Sequence, residues 1–330
     1  MLNIKQLNNH QLPDDVDEFF PRAAGEWFRG FYANDTQVEA RYFSKRLHAQ
    51  RGKGILIELR DEGGLVALGE LGRLDWDSKH FGIEVYRVLF VLVDMGLPLA
   101  KRQAIFEMMH RAIGDVAKSS GARLLLRRLR SARIDEIRIL ESMGYRLADN
   151  VVTMTMNPTL KQTTVFPQGV TVRKLAIEDV SAAQDLMKGS FSLSRFCLEP
   201  LLARRGEAVY EQWLVNALSD LSHLPNGSVV EYDGKFAGFT LWTKNAGVDA
   251  DIGCALAALD LFIVGESWRG KGLGKILLGE TLHVMREDGA EKVEASTWIA
   301  QSAAMATYQK MGFIIRENLL SFYQDLERVV

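Results

Sequence analysis

Apolar runs of strand length alternate along this chain with stretches in which apolar positions recur every three to four residues, a pattern that predicts strands and helices in turn. In the C-terminal half, VTVRKL (170–175) reads as a strand. IEDVSAAQDLMKGS (177–190) and EAVYEQWLVNALSDL (207–221) read as helices, the second with Val209, Trp213 and Leu214 on one side. SVVEYDGKFAGFTLWT (228–243) sets two β-rich runs about Asp233-Gly234 and predicts a hairpin. ALDLFIV (258–264) follows as a buried strand, GKILLGETLHVMRED (274–288) as a helix, KVEAST (292–297) as a strand, and QSAAMATYQKM (301–311) as a helix that stops at Gly312. FIIRE (313–317) and LLSFYQDL (319–326) finish the sheet as two more runs. The N-terminal half offers the same pieces: the hairpin GILIELRDEGGLVALGELGRL (54–74), the strand RVLFVLV (87–93), a helix around AIFEMMHRAIGDVA (104–117), and SMGYRL (142–147). The class is α/β with mixed, largely antiparallel sheets.

The two halves are related. Laying Gly121 on Gly289 aligns residues 121–156 with 289–324 without a gap, and Ala132/Ala300, Met143/Met311, Gly144/Gly312 and Asn150/Asn318 coincide. Two copies of one fold explain this, with convergent use of Gly after helices as the alternative. NPTLKQTTVFPQG (157–169), with two prolines and a closing Gly, is a linker between them. The predicted organisation is an N-terminal, largely helical extension (1–50) around VDEFFPRAAGEWFRGFY, a first copy (51–160) and a second copy (161–330).

Composition narrows the function. Two domains suit 330 residues, and a formal net charge of -2 with intermixed signs argues against nucleic acid or anionic lipid as partner. Cys197 and Cys254 form no metal or disulfide pattern, His80 and His283 have no partner pattern, and no metal site is expected. The polar, acidic N-terminus lacks the features of a signal peptide and no run approaches membrane-spanning length, so a cytoplasmic protein is expected.

WRGKGLGK (268–275) places three glycines and three cations between a strand and a helix. GESWRGK has P-loop spacing, but Gly272 follows where a Ser or Thr should hold magnesium. Gly270, Gly272 and Gly274 do not match the dinucleotide spacing either. What remains is Arg269-x-x-Gly272-x-Gly274, whose exposed amides, positive helix end and flanking Arg269, Lys271 and Lys275 suit a metal-free pyrophosphate. A solvated glycine turn is the alternative.

This loop, preceded by LFIV and followed by a helix, VEAST and QSAAMATYQKMGF, resembles the coenzyme A loop of the GNAT superfamily of N-acetyltransferases over residues 170–326. The resemblance implies tandem GNAT-like domains using acetyl-CoA, with Phe262, Ile263 and Val264 at the acetyl and pantetheine end and Arg269, Gly270, Lys271, Gly272, Leu273 and Gly274 at the pyrophosphate. Gln301 stands where the family often has an Asn that contacts the pantetheine. LDWDSKHFGIEVYRV, SMGYRLADNVVTMTM, SRFCLEP and VYEQWLVNAL also resemble the acetyltransferases of dTDP-4-amino-4,6-dideoxygalactose (dTDP-fucosamine), which join a reduced first copy to a catalytic second one. That likeness implies a nucleotide-linked amino sugar as acceptor and Tyr308 as general acid, and it leaves room for a homodimer.

Residue chemistry supports part of this. Amine attack on a thioester passes through an oxyanion and expels a thiolate, so a proton source near sulfur is needed. Tyr308 is protonated at neutral pH and meets that need; packing of its helix on the sheet is the alternative. Glu266, Glu231 and Asp249 reach a base role only through water, and each also suits a solvated turn or strand. Arg195 and Phe196 are expected to meet a phosphate and a base or sugar, or to pack their loop. Tyr210 and Trp213 fit the acceptor pocket or the core, and Trp76 and Phe81 suit a domain interface. In the first copy, DMGLPLAKRQ follows LFVLV with one glycine and a proline, Leu140 stands in the place of Tyr308 and Arg133 in that of Gln301, so that copy is expected to be degenerate. Alternative readings are acetyl transfer to an amino acid, polyamine or antibiotic amine, and a non-catalytic acyl-CoA sensor.

Overall fold

The computed structural model describes residues 2–7, 12–23, 44–45, 54–158, 166–192, 194–219, 226–244 and 253–328. Most of the expected helical extension, the middle of the expected linker and Asp249 lie outside these residues. In the first half the strands are β1 (Asn3–Gln6), β2 (Ile55–Asp61), β3 (Gly64–Arg73), β4 (Val85–Val93), β5 (Leu124–Arg130) and β6 (Arg146–Met156). Its helices are α1 (Val16–Ala23), α2 (Asp75–Phe81), α3 (Leu99–Ser119) and α4 (Ile134–Ser142). In the second half the strands are β7 (Val170–Lys174), β8 (Ser228–Tyr232), β9 (Lys235–Lys244), β10 (Leu256–Val264), β11 (Lys292–Trp298) and β12 (Ile314–Asp325). Its helices are α5 (Val180–Met187), α6 (Arg195–Leu198), α7 (Ala208–Ser219), α8 (Leu273–Glu287) and α9 (Ser302–Lys310).

The internal repeat is structural. β5 and β11 begin and end at equivalent positions of the self-alignment, and so do α4 and α9. FIIRE and LLSFYQDL prove to be one strand, β12, because neither Gly nor Pro interrupts the ladder at Asn318. Asp233 and Gly234 both take positive φ (49° and 71°), the geometry that turns β8 into β9.

Two compact units divide the chain: Met1–Asp149 with Leu319–Val330, and Asn150–Asn318. The first unit orders its strands β1-β2-β3-β4-β5 and closes on the end of β12, the second orders them β7-β8-β9-β10-β11 and closes on β6. Each unit thus takes its last strand from the other half of the chain. Neighbours are antiparallel except β4 with β5 and β10 with β11. In the second unit, Leu278, Leu282 and Met285 of α8 and Tyr308 of α9 pack on Ala257, Val293 and Ala295. Across the sheet, Ala183, Met187 and Leu214 of α5 and α7 pack on Leu241, Leu261 and Ile263. In the first unit, α3 and α4 cover one face, and Phe19 and Phe20 of α1 fill the other against Leu65, Leu68 and Phe90. Burying each of those rings contributes roughly 2 kcal/mol.

Candidate active site

The parallel pair that lies side by side in the second unit also opens there. β10 and β11 are in register only from Leu256 to Leu259 against Lys292 to Ala295. Beyond that point β10 continues along β9 to Val264, while β11 continues along β6 to Trp298. Alternate main-chain groups of Phe262, Ile263 and Val264 therefore face a gap instead of a neighbouring strand. A bulge between Leu259 and Leu261 marks where the strands part, and Asp260 is the extra residue.

The glycine loop lies at the far end of β10. Gly270 and Gly272 have φ of 78° and 79°, in the left-handed region that side chains avoid. Gly272 is the N-cap of α8 and has no side chain to occupy the first-turn amides, which stay available to an anion. At Gly274 a Cβ would come within 3.3 Å of Phe262, so glycine brings the helix start close to β10. Arg269 donates from Nε to the Val264 carbonyl at 3.3 Å, tying the loop to the strand end. Lys271 turns its ammonium over Tyr232 and Trp268, 4.7 and 4.9 Å from the ring centres. Leu273 is buried beneath the helix start.

Tyr308 is buried, with its ring 5.7 Å from Phe262 and 5.3 Å from Phe313. Burial pushes its phenol well above the ordinary range, so it stays protonated at any physiological pH. Gln301, as N-cap of α9, stands at the end of β11. Its equivalent in the first copy, Arg133, is likewise the N-cap of α4.

Arg195 begins α6 with its guanidinium 4.2 Å over the Phe196 ring. Phe196 meets Tyr210 edge-on at 6.0 Å, and Tyr210 stacks on Phe191 at 3.9 Å. Trp298 closes this group, edge-on to both Phe191 and Tyr210. Trp213 does not join it: Val209 and Leu214 are buried, but Trp213 is 38% exposed and lies on the solvent side of α7.

Two carboxylates that sequence reasoning passed over sit where β10 and β11 separate. Glu294 lies in register with Ala258 on one side and Thr155 on the other, on the same face of β11 as Ser296 and Trp298. Burial, with the nearby charges of Glu317 and Asp260, pushes Glu294 up to about 7. Asp260 is exposed at the bulge, yet the protein packed around its carboxyl withholds enough water to push it up to about 6 against a hydrogen bond from Thr243. The available signal was a single acid interrupting the apolar run ALDLFIV. Glu231 is instead held by Arg173 at 2.8 Å and Thr171 at 3.1 Å, and Glu266 lies exposed in the turn before the loop. Among the described residues no His, Cys, Asp and Glu group has metal-binding geometry, and no helix is long and apolar enough to cross a membrane.

Residues 191–313 match the family described as the Acetyltransferase (GNAT) family. That segment, rather more than a third of the chain, is similar to a GNAT domain. Mycothiol acetyltransferase of Corynebacterium glutamicum is 39% identical over 61 residues, 18% of this chain and 21% of that protein. The chain therefore spans about a fifth of the length of the curated relatives it matches. A GCN5-related N-acetyltransferase from Sphaerobacter thermophilus superposes with a TM-score of 0.63 at 16% identity, over 99% of this chain and 97% of the other. A tandem GNAT protein from the clavulanic acid biosynthesis pathway superposes with a TM-score of 0.59 at 14% identity over the full length of both. The fold is a tandem GNAT fold, each unit built on one copy and completed by the last strand of the other.

Proposed function

We propose that the chain is an acetyl-CoA-dependent N-acetyltransferase for a small-molecule amine, with a nucleotide-linked amino sugar as the acceptor. The observation that carries the reading is the meeting of three features in one unit: the gap between β10 and β11, the open glycine loop at its end, and the Asp260 and Glu294 carboxylates at its apex. Acetyl-CoA supplies the acetyl thioester. Main-chain groups of Phe262 to Val264 hold its acyl end, the loop from Arg269 to Gly274 holds its pyrophosphate, and Gln301 contacts the pantetheine. The acceptor arrives as an ammonium and gives a proton to the Asp260 and Glu294 pair, whose raised affinity suits a base near neutral pH. Its nitrogen then bonds to the acetyl carbon as the carbon–sulfur bond breaks, Tyr308 donates a proton to the departing thiolate, and the second proton shed by the new amide nitrogen restores the Tyr308 phenol through solvent. Arg195, Phe196 and Tyr210 supply a cation and aromatic faces for the nucleotide and sugar, with Trp213 at the outer rim.

A second acceptor class, a polyamine or an antibiotic amine carrying a further positive charge, is favoured by the acidic group of Asp260, Glu294 and Glu317. Thiol release from acetyl-CoA, measured against a panel of nucleotide amino sugars, polyamines, amino acids and aminoglycosides, separates the classes. Turnover with a nucleotide amino sugar alone supports the first, and turnover only with polycations replaces it. Saturable acetyl-CoA binding with no thiol release from any amine would make the chain a sensor and overturn the reading.

A further inference from the structure

The first unit carries a cavity of its own, and nothing in the acetyl-transfer reading uses it. Its volume is about 330 Å³, the size range of small-molecule sites. One wall is a single face of α3, where Arg111, Gly114, Asp115 and Lys118 recur at helical spacing. The opposite wall is the turn after α4, with Ser142, Met143, Gly144 and Arg146. The end of the chain closes it through Gln324, Asp325, Leu326 and Arg328.

Three observations say that this space is built. Gly114 lies inside a 21-residue helix, where glycine is unfavourable, and a Cβ there would meet no atom within 4 Å. Any larger side chain at this position would project into the cavity. Gln324 fixes the chain end by donating from Nε2 to the Met143 carbonyl at 2.7 Å, so the third wall is tied to the second. The charge is unbalanced as well. Four cations line the cavity against two carboxylates, and Asp325 is already paired with Arg123 at 3.0 Å. Arg111 is engaged only by Glu107 in an exposed pair, a weak competitor, and no ion pair holds Lys118 or Arg328 among the described residues.

From this we infer that the first unit binds a small phosphorylated polyol or sugar, separate from the acetyl-transfer centre. Arg111, Lys118 and Arg328 take the phosphate, for which guanidinium groups are suited donors. Asp115 and the Ser142 hydroxyl are left to hydrogen-bond ligand hydroxyls. The inference goes beyond the proposed function and does not depend on it.

Calorimetric titration of the full chain with glucose 6-phosphate and with glucose is the test. The expected result is saturable binding of glucose 6-phosphate that weakens steeply with added salt, and none of glucose. Gly114→Leu, which fills the cavity while favouring helix, should lose binding at least roughly tenfold, and Lys118→Ala by a similar factor. Thermal melts of both variants confirm that they remain folded. Absence of saturable binding of glucose 6-phosphate at millimolar concentration overturns the inference. So does unchanged affinity in a folded Gly114→Leu protein, which would place any binding elsewhere.

Discussion

Glu294 is held with its proton more tightly than an ordinary glutamate, and replacing it by Gln should therefore stabilise the protein, but only at high pH. In the unfolded chain the carboxyl titrates near 4.5, and in the folded protein near about 7. The folded state binds the extra proton between these limits, so this group's contribution makes stability fall as pH rises from about 4.5 to about 7 and level off above. The difference corresponds to about 3 kcal/mol held against ionisation, and about 2 kcal/mol is a fair expectation once the solvent-facing part of the site and the new amide are allowed for. Glu294→Gln keeps the side-chain volume and removes the charge. At pH 8.5 its melting temperature should rise by roughly 5 °C over the parent, and at pH 4 the two should coincide. Kinetics give an independent readout. In the parent, kcat/KM should climb through an apparent pKa between about 6 and about 7, a limb that belongs to the Asp260 and Glu294 pair jointly. The variant should keep only the lower limb of Asp260 and turn over more slowly, so that one substitution raises stability and lowers activity. An offset in melting temperature that is equal at pH 4 and pH 8.5 would refute the buried-charge argument, and an unchanged pH–rate limb would remove Glu294 from the proton path.

Gly272→Val forces a side chain into a left-handed backbone position and should weaken acetyl-CoA binding at least roughly tenfold by calorimetry, with little loss of helix by circular dichroism. Tyr308→Phe keeps the ring contacts and deletes the proton, so kcat should fall by roughly 100-fold with acetyl-CoA affinity nearly unchanged; parental turnover with chemistry rate-limiting would make Tyr308 a packing residue. Glu136→Ala leaves Arg127 buried without its carboxylate and should cost about 3 to 5 kcal/mol in urea denaturation, the largest loss among these variants. Acetyl-CoA should bind with a stoichiometry of one per chain, and a value of two would mean that the first copy is alive.

Much of the fold was legible because its punctuation is local. Asp233-Gly234 specifies a hairpin by itself, and Gly144 and Gly312 end their helices with φ of 82° and 94° wherever those helices lie. The exchange of last strands was not legible. β6 and β12 carry the same pattern, and either suits the edge of β5 or β11, so partner choice rests on chain geometry that no short window encodes. The loop from Arg269 to Gly274 was readable because left-handed backbone needs glycine. The carboxylates were not, because a strand reading of ALDLFIV treats Asp260 as an interruption, whereas a bulge turns it into the residue that projects where the strands part. Trp213 was assigned to the wrong side of α7 because apolarity alone does not fix helical phase. Val209 and Leu214 define the buried side, and the large ring at 213 stays outside it.

Comparison of the two copies explains why one framework keeps a candidate centre and the other does not. β4 and β5 also part, after Val88 and Arg127, so the gap by itself is a property of the fold. What differs is what fills it. At the start of α3 the N-cap is Pro98, which has no amide to offer, and Asp94 already accepts from the Gly96 amide at 2.8 Å while facing Arg22 at 3.4 Å. A carboxylate thus already takes an amide of this loop and its neighbouring cation. Beneath the gap, Arg127 and Glu136 take the places that Ala295 and Ala304 hold beside Tyr308, and Glu136 is held by Arg127 at 2.6 Å and by His110 at 3.0 Å. Burial keeps that histidine neutral, so the charges that anchor the buried network are Glu136 with Arg127 and, at 3.2 Å, Arg133. The opposite face, which in the second unit carries α5 and α7, is covered here by Phe19 and Phe20. Anion slot, acyl channel and acceptor face are each filled by a different device. No single substitution reopens all three, and the first copy is free to hold a different ligand on the far side of α3 at no cost to the second.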